Sequence, residues 1–470
     1  MKKLILFLLL FFNSFVFTQN NNFINSLDSL LTSDYFKSTQ ISISVYDLTN
    51  DKPVYSKNEK LLFHPASLEK ILTTAAALKF LGTGYNFKTK FFHTGNVEDS
   101  ICSGDLYIVG GFDPVFSVSD LDSAAKEIKN YGIKEIHGNL YADISAGDSL
   151  FWGNGWMWDD DPYSFAAYIS PLNINENSIK IICKPENHNE PAVVQLIPAN
   201  NFIDVENNSF TSDTGKTNLT VTRDWLNRSN KIFIKGTISI SGGADTTTIN
   251  IFNPVYFFLN LMKERLEQNG IKFHGSIDTL TLKPDFNEIF SLEHNIDSVI
   301  VYTNKNSYNL GAEMILRSIA NEYFPKPATA QKGISIVDSL ISLSGLDSKN
   351  YRIVDGSGLS FYNLVSAELI TNILKYFYAE EEELFVKLYN SFPISGFDGT
   401  LNKRMNDSPA VKRVHAKTGS ISGVNNLAGY ITTKNKNILA FSIFIQNYTT
   451  GAQSARSIQD KICELIFEEL

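Results

Sequence analysis

The chain has 470 residues, 43% of them hydrophobic and 19% charged, with a formal net charge of -9. That length and composition suit two or three globular domains with sizeable cores. An acidic balance without a basic run argues against nucleic-acid binding. Three widely spaced cysteines, Cys102, Cys183 and Cys463, exclude a dense disulfide framework and a Cys/His metal motif, and are expected to be buried free thiols.

Residues 1–19 read as an export signal. Lys2 and Lys3 precede an apolar run from Leu4 to Phe12, which Asn13 and Ser14 interrupt before it could span a bilayer. Cleavage is expected after Thr18 or Gln19. No cysteine follows for lipid attachment, and no later run is long enough to span, so no integral membrane segment is expected once the signal is removed. Phe23, Leu27, Leu30 and Leu31 predict a helix within 20–37, and Ile41, Ile43 and Val45 a strand over 40–46. A turn at Asn50-Asp51-Lys52-Pro53 leads to a second strand at Val54-Tyr55. The stretch from His64 to Ala77 then predicts a helix entered at Pro65, rich in alanine and ending near Gly82 and Gly84. Ser67 and Lys70 share one face of it. A serine becomes a nucleophile when a base lies beside it, and a lysine serves as that base when burial or another cation lowers its pKa.

Between Phe91 and about Pro254 the pattern is β-rich, with short runs at 106–109, 179–182, 231–234 and 237–240 and one helix over 119–131. Helices are expected again at 254–268, 308–323, 328–343 and 366–378. Strands follow at 412–419, 426–433 and 438–446, the last two as a hairpin, and an amphipathic helix covers 452–469. No internal repeat stands out. Two more short motifs lie here: Ser307-Tyr308-Asn309 before a helix, and Lys417-Thr418-Gly419, with Ser420 next, on a strand.

The order Ser-x-x-Lys, Ser-x-Asn, Lys-Thr-Gly is the signature of penicillin-binding proteins and serine β-lactamases. The flanking residues narrow the match. They are Pro65-Ala66-Ser67 through Leu78, Gly110-Gly111-Phe112-Asp113-Pro114 and Trp156-Met157-Trp158-Asp159-Asp160. Further along come Asn304 to Asn309, Asp355-Gly356-Ser357-Gly358-Leu359-Ser360, Gly396-Phe397-Asp398-Gly399-Thr400-Leu401 and Asn426-Leu427-Ala428-Gly429. On these the chain resembles the low-molecular-mass class C penicillin-binding proteins, the D-alanyl-D-alanine carboxypeptidase/endopeptidases. The resemblance implies an α/β (α+β) fold: a serine β-lactamase/transpeptidase-like domain with an antiparallel sheet and helices. That domain is expected over 20–92 and 254–470, and the long gap between Lys70 and Ser307 holds a β-rich insertion over 93–253, read as two small domains.

The same resemblance implies the chemistry. Ser67 attacks the carbonyl between two D-alanines of a peptidoglycan stem peptide. Lys70 takes its proton, with its pKa depressed by the nearby positive Lys417. Ser307 relays a proton to the departing amine, and Asn309 holds Lys70 and a substrate amide. The backbone N–H groups of Ser67 and Ser420 form the oxyanion hole. Lys417, Thr418 and Ser420, on the strand that includes Gly419, grip the terminal carboxylate. β-Lactams are then covalent inhibitors, and no metal or organic cofactor is needed. Asp160 and Phe165 match positions lining the subsite for the peptide side chain. Two departures bear on specificity: Phe361 stands where many relatives carry an arginine able to clamp a carboxylate, and Ser422 where some carry a glutamine. Asp160 is therefore expected to receive a cationic side-chain amine without a carboxylate clamp. The alternatives are a secreted β-lactamase and a catalytically silent wall-binding protein. For Ser307 a helix cap, for Lys417 a surface lysine and for the Asp355 segment a plain turn are the competing structural readings. A periplasmic location goes with the family and the signal.

Overall fold

Five strands, Gln40–Asp47, Lys52–Lys57, Val414–Ile421, Val424–Thr432 and Ile438–Gln446, make one antiparallel sheet in a computed structural model that describes residues 22–282 and 284–470. The predicted export signal lies outside the described residues. The spatial order is 414–421, 424–432, 438–446, 40–47, 52–57, so the Lys-Thr-Gly strand is at an edge. The helix over 22–31 and the helix Ala452–Glu469 cover one face. Phe23, Leu27, Ile462, Cys463 and Ile466 there meet Ile41, Ile43, Val45, Ala416, Leu427, Phe441 and Ile443. Side chains alternate along a strand. Lys417, Ala428, Ser442 and Ser44, which stand in register across four strands, therefore point to the other face. A helix layer covers that face too: in Ala367–Glu380, Thr371 Oγ1 bonds Ser442 Oγ at 3.1 Å and the Leu374 carbonyl accepts the Tyr430 hydroxyl at 2.9 Å. Burial on both faces is why 438–446 reads as an almost unbroken apolar run.

This sheet belongs to a unit that runs to Thr83 and takes up Ile300–Tyr308 and Gly333–Leu470. The second unit is Gly84–Val299 with Asn309–Lys332. Its largest sheet has the order Ile277–Thr279, Leu140–Asp143, Leu106–Val109, Asn86–His93, Asn287–Asn295, and a four-stranded and two three-stranded sheets accompany it. One buried cluster joins Leu121 and Ala125 of the helix Val118–Asn130, Phe257 and Leu261 of the helix Pro254–Gln268, and Ile179, Ile181, Ile232 and Ile234 from the smaller sheets. The apolar residues thus group as one core rather than as the two expected from sequence.

The second unit is also larger than the 93–253 insertion. The strand Asn86–His93 pairs with Leu106–Val109 and Asn287–Asn295, and the helix Pro254–Gln268 buries its apolar face in this core. The predicted strands at 231–234 and 237–240 are a single strand, Ile232–Ser239, which passes through Gly236. Two helices, Ile296–Asn306 and Glu382–Ser391, were not anticipated. All three cysteines are free and buried. Among the described residues no helix is long and apolar enough to cross a membrane.

Candidate active site

The chain enters the Ser67 helix through a forced conformation. A single 3-10 turn, Ala66–Leu68, precedes the helix Glu69–Phe80, and Ala66 has φ 46°. A left-handed non-glycine residue costs about 1–3 kcal/mol and persists where its surroundings over-determine it. Here they do. Asn426 Nδ2 donates to the carbonyls of His64 and Pro65, both at 2.9 Å, and Gln446 Nε2 donates to the His64 carbonyl at 2.6 Å. Two glycines close in from other segments. A Cβ on Gly358 (φ 79°) would lie 1.8 Å from the Ala66 carbonyl oxygen, and one on Gly419 would lie 2.6 Å from the Pro65 carbonyl oxygen. Only glycine lets the Lys417 strand and the Asp355 turn approach Ser67 this closely.

Ser67 is half-buried and Lys70 fully buried. One helical turn brings Lys70 Nζ to 2.9 Å from Ser67 Oγ. The same nitrogen donates to the Ser357 carbonyl at 2.6 Å. That carbonyl is presented by a buried turn organised on Asp355. Its Oδ1 accepts the Gly358 N–H at 2.9 Å and Asn363 Nδ2 at 2.7 Å, and its Oδ2 accepts the Ser360 N–H at 2.8 Å. The Asp355 segment is thus a turn, and one that orients Lys70.

Lys417 is also fully buried. Its Nζ donates to Ser307 Oγ at 2.9 Å and to the Thr418 carbonyl at 2.8 Å. Burial pushes its pKa well below the ordinary lysine value, and the charge of Lys70 adds to the effect. The repulsion between the two lysines thus acts on Lys417. Neither the surface-lysine reading of Lys417 nor a purely capping reading of Ser307 fits this bond. Beyond Lys417, Thr418 Oγ1 lies 2.8 Å from Thr400 Oγ1, and the exposed Ser420 accepts Asn425 Nδ2 at 3.3 Å. The outer bonds of this edge strand, Ser395 N–H to the Val414 carbonyl and Ala416 N–H to the Pro393 carbonyl, sit on its first half. Thr418 to Ser420 lie past them, on an edge of the kind that accepts an extended peptide.

Ser67, Lys70, Ser307, Lys417, Thr418, Gly419 and Ser420 are thus all in the first unit, as two hydroxyl–amine pairs beside a sheet edge. Asn309, Asp160 and Phe165 belong to the second. Asn309 begins the helix Asn309–Tyr323 and donates to the Phe165 carbonyl at 2.8 Å. Phe165 is 46% exposed and stacks on Tyr163. Asp160 is half-buried and accepts the Met157 N–H at 3.1 Å; burial raises its pKa and Asp159 adds to the rise. Phe361 packs edge-on against His64, with centroids 5.7 Å apart. Sequence reasoning passed over the work of Asn426, of the Ser357 carbonyl and of Asn304, whose Nδ2 ties Thr74 of the Ser67 helix to Ser391. Asn304 and Asn426 are both fully buried. A buried amide is a strong signal, but burial has to be known before it can be read.

A family model described as the D-Ala-D-Ala carboxypeptidase 3 (S13) family matches residues 23–468. The chain is 29% identical over 434 residues to the D-alanyl-D-alanine carboxypeptidase DacB of Haemophilus influenzae, covering 91% of this chain and 90% of that one. It is 30% identical over 465 residues to a D-alanyl-D-alanine carboxypeptidase of an Actinomadura species, covering 94% and 84%. The crystal structure of penicillin binding protein 4 (dacB) from Haemophilus influenzae is similar with a TM-score of 0.82 at 25% identity, over 93% of this chain and 97% of that one. The same protein complexed with a β-lactam gives 0.76. Matched along nearly its whole length, the chain belongs to the D-Ala-D-Ala carboxypeptidase 3 (S13) family.

Proposed function

We propose that the chain is a serine-type D-Ala-D-Ala carboxypeptidase that trims peptidoglycan stem peptides through an acyl-enzyme on Ser67. The observation that carries this reading is the 2.9 Å bond from Lys70 Nζ to Ser67 Oγ. Lys70, in its neutral amine form, accepts the Ser67 proton as Oγ attacks the carbonyl between the two D-alanines. The C–N bond breaks, and Ser307 relays a proton to the departing D-alanine amine, its own hydroxyl proton being replaced from Lys417, to which it is bonded. Water then attacks the ester and frees Ser67. Lys417 is a buried ammonium whose pKa is depressed, so a carboxylate arriving beside it relieves the cost of its burial. Thr418 and Ser420 add hydroxyl donors to that carboxylate. The N–H groups of Ser67 and Ser420 serve as the oxyanion hole, a device worth about 100- to 1000-fold in rate per donor. The reading keeps Asn309, Asp160 and Phe165 as substrate-positioning residues on the motif match. A cationic side-chain amine suits Asp160, because it would bring the raised carboxyl pKa back down.

The same serine takes β-lactams as slow substrates. The reading places the enzyme outside the cytoplasm, in the periplasm, on the charged and apolar pattern of residues 2–12. Cleavage of peptide cross-links is a second activity of the same site. Labelling with a fluorescent penicillin, followed by intact mass measurement of the parent and of Ser67→Ala, tests the proposal. A stable adduct on the parent alone supports it, and muropeptide digestion then separates D-alanine release from cross-link scission. An adduct that clears in seconds with release of penicilloate identifies a β-lactamase. No adduct at all leaves a silent wall-binding protein.

A further inference from the structure

Two helices of the second unit, Val118–Asn130 and Pro254–Gln268, are each followed by a similar short run. One is Ile133-Lys134-Glu135-Ile136-His137-Gly138 and the other Ile271-Lys272-Phe273-His274-Gly275. The runs lie side by side as parallel strands, with Glu135 opposite Lys272 and Ile136 opposite Phe273. The His274 N–H continues the ladder to the Ile136 carbonyl at 3.1 Å. In-register side chains of a parallel pair share a face, and successive ones alternate. Ile136 and Phe273 pack into the core. Glu135, His137 and His274 therefore all point outward.

They converge there. His137 Nε2 lies 2.9 Å and His274 Nε2 3.1 Å from the same Glu135 Oε1, and the two imidazole rings meet edge to face at 5.5 Å. The three potential ligand atoms lie within 4.8 Å of one another. Around a tetrahedral zinc ion with bonds near 2.0–2.1 Å, neighbouring ligand atoms stand about 3.3 Å apart. Small rotations about the side-chain bonds meet that geometry. We propose that Glu135, His137 and His274 form a three-ligand site for a borderline divalent transition-metal ion such as Zn²⁺, with water in the fourth position.

Two imidazoles and one carboxylate suit zinc and its neighbours, whereas magnesium demands an oxygen-rich shell. Without an ion, both imidazoles must aim an N–H at one oxygen; an ion takes both lone pairs and the carboxylate together. Lys272, 3.6 Å from the other Glu135 oxygen, is mostly exposed and free to swing into solvent. The site would clip together two helix–strand segments that are distant in sequence, and ion binding would stabilise the folded unit by mass action. It is independent of the Ser67 chemistry.

The test uses the full chain carrying no affinity histidine tag. Zn²⁺ is titrated near neutral pH against a chromophoric chelator, with excess Mg²⁺ as a control. The expected result is one Zn²⁺ per chain, insensitive to Mg²⁺. Affinity should fall more than about tenfold in His137→Asn and in His274→Asn. It should not change in His188→Asn, an exposed histidine paired instead with Asp213. Cooperative melting of each variant without metal establishes that it is folded, and Zn²⁺ should raise the melting temperature of the parent but not of the two site variants. Binding of less than one ion per chain, or an affinity unchanged by His137→Asn, overturns the proposal.

Discussion

Arg223 and Lys417 are both buried cations, one in each unit, and their surroundings are opposite. Arg223 is 1% exposed and faces a carboxylate: its Nη2 donates to Asp161 and, at 3.0 Å, to Asn250 Oδ1, while Nη1 donates to the Ser229 carbonyl at 3.0 Å. The Tyr168 hydroxyl completes the network by donating to Asp161 Oδ2 at 2.7 Å. Lys417 has a hydroxyl and a carbonyl as partners, and the charge that acts on it is another cation, Lys70. The pair in the second unit has no net charge, and both Nη groups of Arg223 are bonded although its buried Nε has no partner among the described residues; pairing of this kind is how a fold accommodates a charge. The lysine in the first is left in need of an anion, which is how a site recruits one. Strongly perturbed groups of that second kind gather where chemistry is done.

Substitution should separate the two roles, and the largest effect belongs to the first unit. Ser67→Ala and Lys70→Met should each slow acylation by penicillin at least about a thousandfold, with the melting temperature preserved. Arg223→Met should do the reverse. It leaves Asp161 buried without its partner and should cost about 3–5 kcal/mol of stability, while the fraction still folded acylates at the parental rate. Lys417→Met is the decisive comparison. It should lower acylation about a hundredfold while holding or raising the melting temperature, because it removes a buried charge that no carboxylate among the described residues pairs with. A loss of stability matching that of Arg223→Met would erase the distinction between the two cations.

The closeness of the segments around Ser67 gives an intermediate effect. Gly419→Ala puts a methyl group 2.6 Å from the Pro65 carbonyl oxygen, so the edge strand or the Ser67 turn must move. Overpacking of this kind costs about 1–3 kcal/mol, and acylation should slow with it. Gly236→Ala is the counterpart in the second unit. Its methyl group would meet the Asn218 carbonyl oxygen at 2.2 Å, so stability should fall there with no change in acylation rate.

These contrasts also mark what was legible in the sequence. The helices at 254–268 and 452–469 follow from apolar spacing of helical period, and the strands at 106–109 and 438–446 from short apolar runs that are buried on both faces. The pairing of Ser67 with Lys70 follows from their spacing on a helix, whereas the motif order names Ser307 and Lys417 without pairing them; that bond is seen only in the structure. The unit boundaries did not, because the strands Asn86–His93 and Asn287–Asn295 pair across almost two hundred residues, and nothing local announces a partner that distant. Glu382–Ser391 was passed over although Leu384, Phe385, Leu388 and Tyr389 stand at helical spacing behind glutamates that favour a helix start. Asn426 looked like any strand residue until its amide was found clamping the His64 and Pro65 carbonyls.

The smallest effect is a difference in acid response. His415, beside Lys417 in sequence, stacks on Tyr389 at 4.0 Å, and burial pushes its pKa down to about 4. An unfolded chain binds that proton near pH 6.5. The stability that depends on neutral His415 is therefore complete above about 6.5 and is lost as pH falls toward 4, on the order of 2 kcal/mol once its partial exposure is discounted. His294 in the second unit behaves oppositely. Asp113, 2.6 Å from its Nδ1, raises its pKa, and Asp120 lies 3.8 Å from Nε2. Its contribution is complete below about pH 6.5 and is lost as pH rises through its folded value. All four tryptophans lie in the second unit, so tryptophan fluorescence follows that unit's melting, while penicillin labelling follows the first. On acidification from pH 7 to 5 the labelling-competent fraction should melt at a lower temperature while the tryptophan transition falls less. His415→Gln should flatten the first response, and His294→Gln should steepen the second. If His415→Gln leaves the acid loss unchanged, burial of that imidazole is not what makes the first unit acid-sensitive.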